Sequence, residues 1–531
     1  MSARWLLLAV FAAPLAAQDV ASTPGDGPEW TRSWSPLLWT AELPRILPSA
    51  APSLPNPLLW PSPRVGLFWT AGNPGALPFE LADTFSVFAV GVDRDDGAYR
   101  RPLDPGRSTN DRLRGVGWRP FGERGAALGR VRVADVSLER PLSDFDLPYS
   151  GSPYVVMDTA GSALGSTDAA LEGVAGWRLG ALGLGVAFGY RAQQTRTEAA
   201  PVPRVLSAAD PGASAGAVWR VSPRLRVGLH GRWRAHAERV LLYSVAAPSR
   251  VYWLQGYFEA RPQDVANGFY QRRMERDGRA LAVSAAGDAA GATWTAFVER
   301  GKQEERQHPP GQNNPQSDTW TSDAWTVGLA ARRALGPRTE LALSGRYTTL
   351  SGAARRGDLP DTVTFASDES VFDAAADLSL QARPFVQLVA RLTLRHEGRD
   401  RRDQLAQVQS DLASWTTGFG VAAAYHPGPA FAVAGGLAVA VYGAGGGIPD
   451  PTDMGIAYRT YVAPELSLAA TDAHGWATGL SVLWAALPGR GALWARMQRA
   501  SLGPSDPIGL PLVPDGHRRS WTVEAGVMLR K

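Results

Sequence analysis

The chain has 531 residues, no cysteine and a formal net charge of +4, from 54 Lys+Arg against 50 Asp+Glu. The lack of Cys excludes a disulfide framework and thiolate metal sites. The positive charge is weak and spread at strand spacing rather than gathered in a block, so nucleic acid is excluded as a partner.

Residues 1–17 carry a cationic start at Arg4, an apolar run and small residues at Ala16 and Ala17. This pattern predicts a secretory signal peptide cleaved near Ala17. No later stretch reaches the ~18–20 uninterrupted apolar residues of a transmembrane helix, which excludes a helical membrane protein. Residues 18–62 are rich in Pro and Ser, and read as an irregular periplasmic N-terminal segment with a short helix near 37–43. No linker-like break in composition follows, so residues 63–531 are expected to form one architecture.

That architecture opens with 64–70, the turn at Asn73-Pro74-Gly75 and a first strand near 81–92. Hairpins follow. The first pairs 109–119 with 126–137. Others turn near 179–181, 222–224, 287–290, 336–338, 383–385, 426–429 and 488–491. Residues 377–395 set the pattern. Leu388, Ala390, Leu392 and Leu394 alternate with Gln387, Val389, Arg391, Thr393 and Arg395 across a short Pro-containing link from Leu378 and Leu380. A period of two with one apolar and one polar face is a β-strand. The same alternation sets Leu225, Val227, Leu229 and Trp233 against Arg226, His230, Arg232 and Arg234. It also sets Leu182, Leu184, Val186 and Phe188 against Gly183, Gly185, Ala187 and Gly189.

Polar stretches at 301–317, 351–361, 396–410 and after His236 are expected to be long loops. Tight turns alternating with long loops point to a transmembrane β-barrel rather than a soluble sandwich. With a closing strand at 521–529 the count is about eighteen, within 14–20. Residues 443–473 hold either two further strands or one structured outer loop. The barrel reading places Trp177, Trp219, Trp233, Trp325, Trp415, Trp484, Trp494 and Trp521 in interfacial girdles. The expected fold is therefore an all-β, antiparallel up-and-down transmembrane barrel with short periplasmic turns and long extracellular loops.

The signal peptide, the opening Asn-Pro-Gly turn, the segment 94–136 (RDDGAYRRPLDPGRSTNDRLRGVGWRPFGERGAALGRVRVADV) and the amphipathic strands together resemble a family of bacterial outer-membrane β-barrels of unknown function. The resemblance covers 65–531 and implies a single-chain barrel of about 18 strands; it supplies no catalytic residues.

No enzymatic constellation stands out. Gly212–Gly216 has the G-x-S-x-G spacing, but no helix follows it, as a nucleophile elbow requires. No His sits beside a Ser in the manner of a lipase pair. No His/Asp/Glu cluster has metal-ligand spacing. The glycines at 443–447 read as a loop rather than a phosphate cradle. No catalytic, cofactor or metal residue is expected. The candidates are lumen-facing: Arg226, His230, Arg232, Arg234, Arg346, Arg391 and Arg395. Such residues could select anions, or be hydrated and paired with acids such as Asp377 and Glu340. The expected function is a channel or transporter for small solutes in a Gram-negative-type outer membrane. The alternative is a structural or accessory barrel with a plugged lumen. Expected partners are outer-membrane lipid, the barrel-assembly machinery through the C-terminal strand, and an envelope protein.

Overall fold

A computed structural model describes residues 66–530 except 69, 81–84, 101–104, 140–152, 159–162, 198–203, 244–249, 257–259, 265–268, 309–316, 429–430, 448–457, 459–461, 488–490 and 506–515. The expected signal peptide and Pro-rich segment lie outside the described residues.

The wall is one 18-stranded antiparallel sheet. In chain order its strands begin with β1 (Phe85–Gly97), β2 (Arg107–Phe121) and β3 (Gly125–Glu139), then, after β4 (Tyr154–Asp158), β5 (Leu164–Leu179), β6 (Leu182–Thr197), β7 (Arg204–Ser222) and β8 (Leu225–Tyr243). After β9 (Arg250–Gln255) and β10 (Ala260–Asp264) come β11 (Phe269–Ala289), β12 (Ala292–His308), β13 (Asp318–Gly336), β14 (Thr339–Arg356), β15 (Leu359–Arg383) and β16 (Val386–Asp403). The last are β17 (Val408–Gly428), β18 (Phe431–Gly447), β19 (Ala473–Leu487), β20 (Gly491–Pro504) and β21 (Arg518–Arg530). Each wall strand pairs with the next. β21 pairs with β1 from Phe85 opposite Arg530 to Gly97 opposite Arg518, which closes the cylinder and leaves no open edge. Strands β4, β9 and β10 form a separate three-stranded sheet.

Alternation decides which side meets lipid. Leu281, Val283, Leu329, Leu392 and Val441 are each more than half exposed on the outer face, while Asp377, Arg391, Arg234 and Glu524 point inward and are buried. On β19, Trp476 and Trp484 both point outward, eight residues apart. At ~3.4 Å per residue and ~40° of tilt, that is roughly 20 Å along the barrel axis, close to the apolar band of such barrels. Trp177, Trp219, Trp233, Trp325, Trp415 and Trp484 are likewise exposed on the outer wall. Trp494 is not: it faces inward, buried in an apolar cluster at the short-turn end.

The turns at one end span two or three residues. The hairpin of β11 and β12 reverses at Ala290 and Gly291 rather than over 287–290, both residues having positive φ (51° and 75°), as a mirror-image two-residue turn requires. At the other end several expected loops are strand. β12 runs on to His308, β14 and β15 meet across Gly357 and Asp358, and only 404–407 separate β16 from β17. These polar runs still alternate inward and outward, and beyond the lipid both faces can be polar. Residues 443–447 continue β18, paired with β17, rather than forming a loop. The described part of 448–472 adds no wall strand and contains the helix α2 (Ala463–Ala469). Residues 66–80 are not wall either. They fold inside it.

Candidate functional site: the lumen

Asn73, Pro74 and Gly75 start a short 3-10 turn over Pro74–Ala76, which runs into α1 (Leu77–Glu80). Pro74 fixes its own φ, and the Asn73 side-chain oxygen accepts from the Gly75 N–H at 2.9 Å, capping the turn. The Asn73 Nδ2 then donates to the carbonyls of Ala217 and Leu229, each at 3.2 Å. Those two residues face each other across β7 and β8, so the amide is set into the wall from within. Asn73 is fully buried.

The approach depends on missing side chains. A Cβ on Gly176 would lie 2.7 Å from Pro78 Cδ, and one on Gly228 2.6 Å from Asn73 Nδ2. One on Gly185 would reach 2.6 Å from the Gly75 nitrogen and closer still to the Pro74 carbonyl. Glycine on the inner face of β5, β6 and β8 makes the seat. Around it Leu67, Phe68, Ala76 and Leu77 pack with inward residues of many strands, among them Val87, Trp118, Val218, Leu483 and Trp494. The Glu80 carboxylate accepts from the Phe68 N–H at 3.2 and 3.3 Å and lies 3.7 Å from Arg226. An apolar plug latched by Asn73 therefore occupies the short-turn end.

The long-loop end holds a second apolar cluster. Tyr154 of β4 and Leu466 of α2 pack with inward Leu206, Val240, Trp320 and Phe365. The Tyr154 hydroxyl donates to the Arg355 carbonyl at 2.9 Å, and the Thr319 carbonyl lies 3.3 Å away. Burial, reinforced by the carboxylates of Asp318, Glu305 and Asp358, pushes this phenol above its usual range, so it stays a donor. On the other side of α2, Leu468 packs with Tyr99 and Tyr442, and Tyr442 donates to the Ala469 carbonyl at 2.8 Å.

Between the two clusters the inner wall is charged and paired. Asp210 lies 2.6 Å from His236 Nδ1 and within 3.4 Å of Arg191 and Arg234. Arg191 also reaches Asp168 at 3.0 Å. Glu524 of the closing strand sits between Arg114 at 2.6 Å and Arg496 at 2.7 Å. Arg276 meets Glu305 at 2.9 Å. Among the described residues the buried charged side chains are six Asp and six Glu against eleven Arg, so the inner wall is close to neutral. Charges this far from water persist only when paired and hydrogen-bonded.

All seven candidates lie on inner-face positions. Arg391 makes a two-pronged pair with Asp377 at 2.6 and 2.7 Å. Arg232 pairs with Glu299, whose carboxylate is 3.9 Å from His230. Arg234 belongs to the Asp210 cluster. Arg346, Asp373 and Arg395 form one cross-strand row, with Arg395 bonded to Asp373 at 3.1 Å and to Glu397. Arg226 stands apart, near the plug's Glu80. Of the two acids expected to pair with the candidates, Asp377 partners Arg391, whereas Glu340 pairs with Arg332. The sequence reading missed the plug and most of the acids. Their signal was present in Gly183 and Gly185 on an inner face, and in single acids such as Glu172 and Glu299 within alternating strands. Among the described residues no group of three His, Asp or Glu could hold a metal ion. Ser214 of the G-x-S-x-G stretch is a buried inward residue within β7.

A model of the family of unknown function DUF6850 matches residues 74–529. No curated protein matches the chain. Among solved structures, the ferric citrate transporter FecA in its unliganded form is 10% identical, with 84% of this chain and 78% of that one covered and a TM-score of 0.45. The copper transporter OprC is 9% identical, with 85% and 82% covered and a TM-score of 0.39. The siderophore receptor PiuA from Acinetobacter baumannii is 8% identical, with 84% and 82% covered and a TM-score of 0.38.

Proposed function

We propose that this chain, which belongs to the family of unknown function DUF6850, is an outer-membrane channel or transporter for small solutes whose resting state is closed. The observation that carries the reading is the plug. Asn73 is hydrogen-bonded to two wall carbonyls, over glycines whose missing side chains let the segment approach the wall. A segment that contributes no strand to the sheet can be released without unfolding the wall, whose ladder bonds are independent of it. Passage then requires movement of the plug at the periplasmic end and of the β4 and α2 elements at the outer end. The Arg side chains of the lumen are held by carboxylates, so no anion preference is assigned to them.

A second reading has its own support. The lid at the outer end and the near-neutral, paired layer beneath it also suit an accessory barrel that never opens. Liposome swelling separates the two. Uptake of small sugars or amino acids by liposomes carrying an Asn73→Ala variant, above that of the native chain, supports the channel. A folded variant as impermeable as the native chain at every solute size supports the accessory barrel.

A further inference from the structure

On the outer wall, one cross-strand row sets an indole between two arginines. Arg499 of β20 pairs with Trp521 of β21, and Trp521 with Arg94 of β1 across the closing seam. The Cα atoms of the two arginines are therefore about 10 Å apart, two strand spacings. Both side chains are exposed. The Arg94 guanidinium stacks 5.2 Å from the Trp521 ring, and that of Arg499 5.9 Å from Trp476, the outward indole of β19. The next row towards the bilayer centre is Leu480, Met497, Val523 and Val92, apolar throughout. Leu480 lies between Trp476 and Trp484 on β19, inside the apolar band that those two indoles bound. The arginines thus stand at the loop-side rim of the lipid, level with the indoles and directly above apolar wall.

Their partners set these two arginines apart. At the same end Arg300 also stacks on an indole, 5.1 Å from Trp325, but Asp323 holds it at 2.7 Å. Arg306 and Arg402 are likewise held, by Glu304 at 2.7 Å and Asp400 at 2.6 Å. Among the described residues no carboxylate pairs with Arg94 or Arg499. On β20, β21 and β1 the one outward acid of these rows is Asp96, which stands opposite a third arginine, Arg519. The next outward acids, Asp111, Asp135 and Glu139, lie on β2 and β3 and form no ion pair with this patch. We infer that the row is a docking site for an outer-leaflet lipid with an anionic phosphate headgroup, its phosphate on Arg94 and Arg499 and its acyl chains along Val523 and Met497. A guanidinium whose face lies on an indole keeps its N–H groups in the plane of the fork, where they can take a phosphate as a two-pronged acceptor. The inference rests on the orientation given above, with the long loops outward, but not on whether the lumen opens.

The test is native mass spectrometry of the full chain in detergent, titrated with phosphatidic acid, with diacylglycerol of the same acyl chains and with inorganic phosphate. One phosphatidic acid should bind at least about tenfold more tightly than diacylglycerol, as for one charge-assisted hydrogen-bonded contact. Arg94→Gln and Arg499→Gln should each remove part of that preference, and the double change all of it, with diacylglycerol binding unchanged. Arg300→Gln, which alters a stacked arginine already held by a carboxylate, should leave the preference intact. Folding of each variant is read from heat-modifiable migration. Equal binding of the two lipids by the native chain would overturn the inference, as would a preference that survives in the folded double variant or falls as far in Arg300→Gln. Inorganic phosphate bound as tightly as phosphatidic acid would also overturn it, making the row a site for the free ion. Because no conductance is measured, failure here is distinguishable from failure of the channel reading.

Discussion

Gly185→Ala is the smallest change that should loosen the plug. The new methyl would point inward from β6 into the backbone of Pro74 and Gly75, 2.6 Å from the Gly75 nitrogen. Neither side can yield easily, since β6 is paired on both flanks with β5 and β7 and residues 73–76 are held by the capping bond within their own turn. Overpacking of this kind costs about 1–3 kcal/mol. The Asn73 bonds to Ala217 and Leu229 that oppose displacement contribute about 1 kcal/mol each. Unseating also exposes Leu67, Phe68 and Leu77, whose burial contributes about 1.5–3 kcal/mol each, so the methyl should not empty the seat but should raise the unseated population by roughly fivefold to a hundredfold while the wall stays intact. Hydrogen exchange read by mass spectrometry should show faster exchange at Thr70, Gly72 and Asn73, whose N–H groups bond within the plug, with the wall strands unchanged. Single-channel events should become more frequent. Native-like protection of these amides in Gly185→Ala would refute the steric argument, because a Cβ could then be accommodated where the geometry leaves no room.

Three further outcomes follow from the same geometry. Arg391→Ala strands the Asp377 carboxylate inside the wall and should destabilise the barrel by about 3–5 kcal/mol in urea unfolding, with an Asp377→Asn second change recovering much of the loss. Val283→Arg sets a charge at mid-height on the lipid face, where Val283 is 60% exposed, and should cost about 2–4 kcal/mol in refolding from bilayers; a cost near zero would place that face outside lipid. Tyr154→Phe removes the hydroxyl that bonds the Arg355 carbonyl and should cost about 1 kcal/mol, speeding exchange in β4 while wall strands exchange as before.

The barrel was legible because lipid imposes alternation: Leu388, Leu392 and Leu229 face outward at a spacing of two or four, and inward Arg391, Gly228 and His230 stand among them. Strand ends were harder to read. Residues 301–308 and 396–403 are as polar as a loop, and only their pairing with neighbours, which is not local, makes them strand. Trp494 was misplaced because an indole suits an inner apolar cluster as well as an interface, and its face depends on the register of β20. The plug could not be read from 64–80 alone, since the seat at Gly176, Gly185 and Gly228 lies roughly a hundred residues or more downstream. The seven inner-face candidates follow from parity along each strand. Their partners do not, because Asp210 and Arg191 meet through a register fixed only by folding.

The most direct test is planar-bilayer conductance of two refolded chains, the mature protein and one beginning at residue 82. The account predicts rare openings from the first and markedly more frequent ones from the second, in which only the outer β4 and α2 elements still have to move, with both migrating as folded barrels. A truncated barrel that is folded and as silent as the full chain would contradict it, and would leave the accessory role as the reading of this closed lumen.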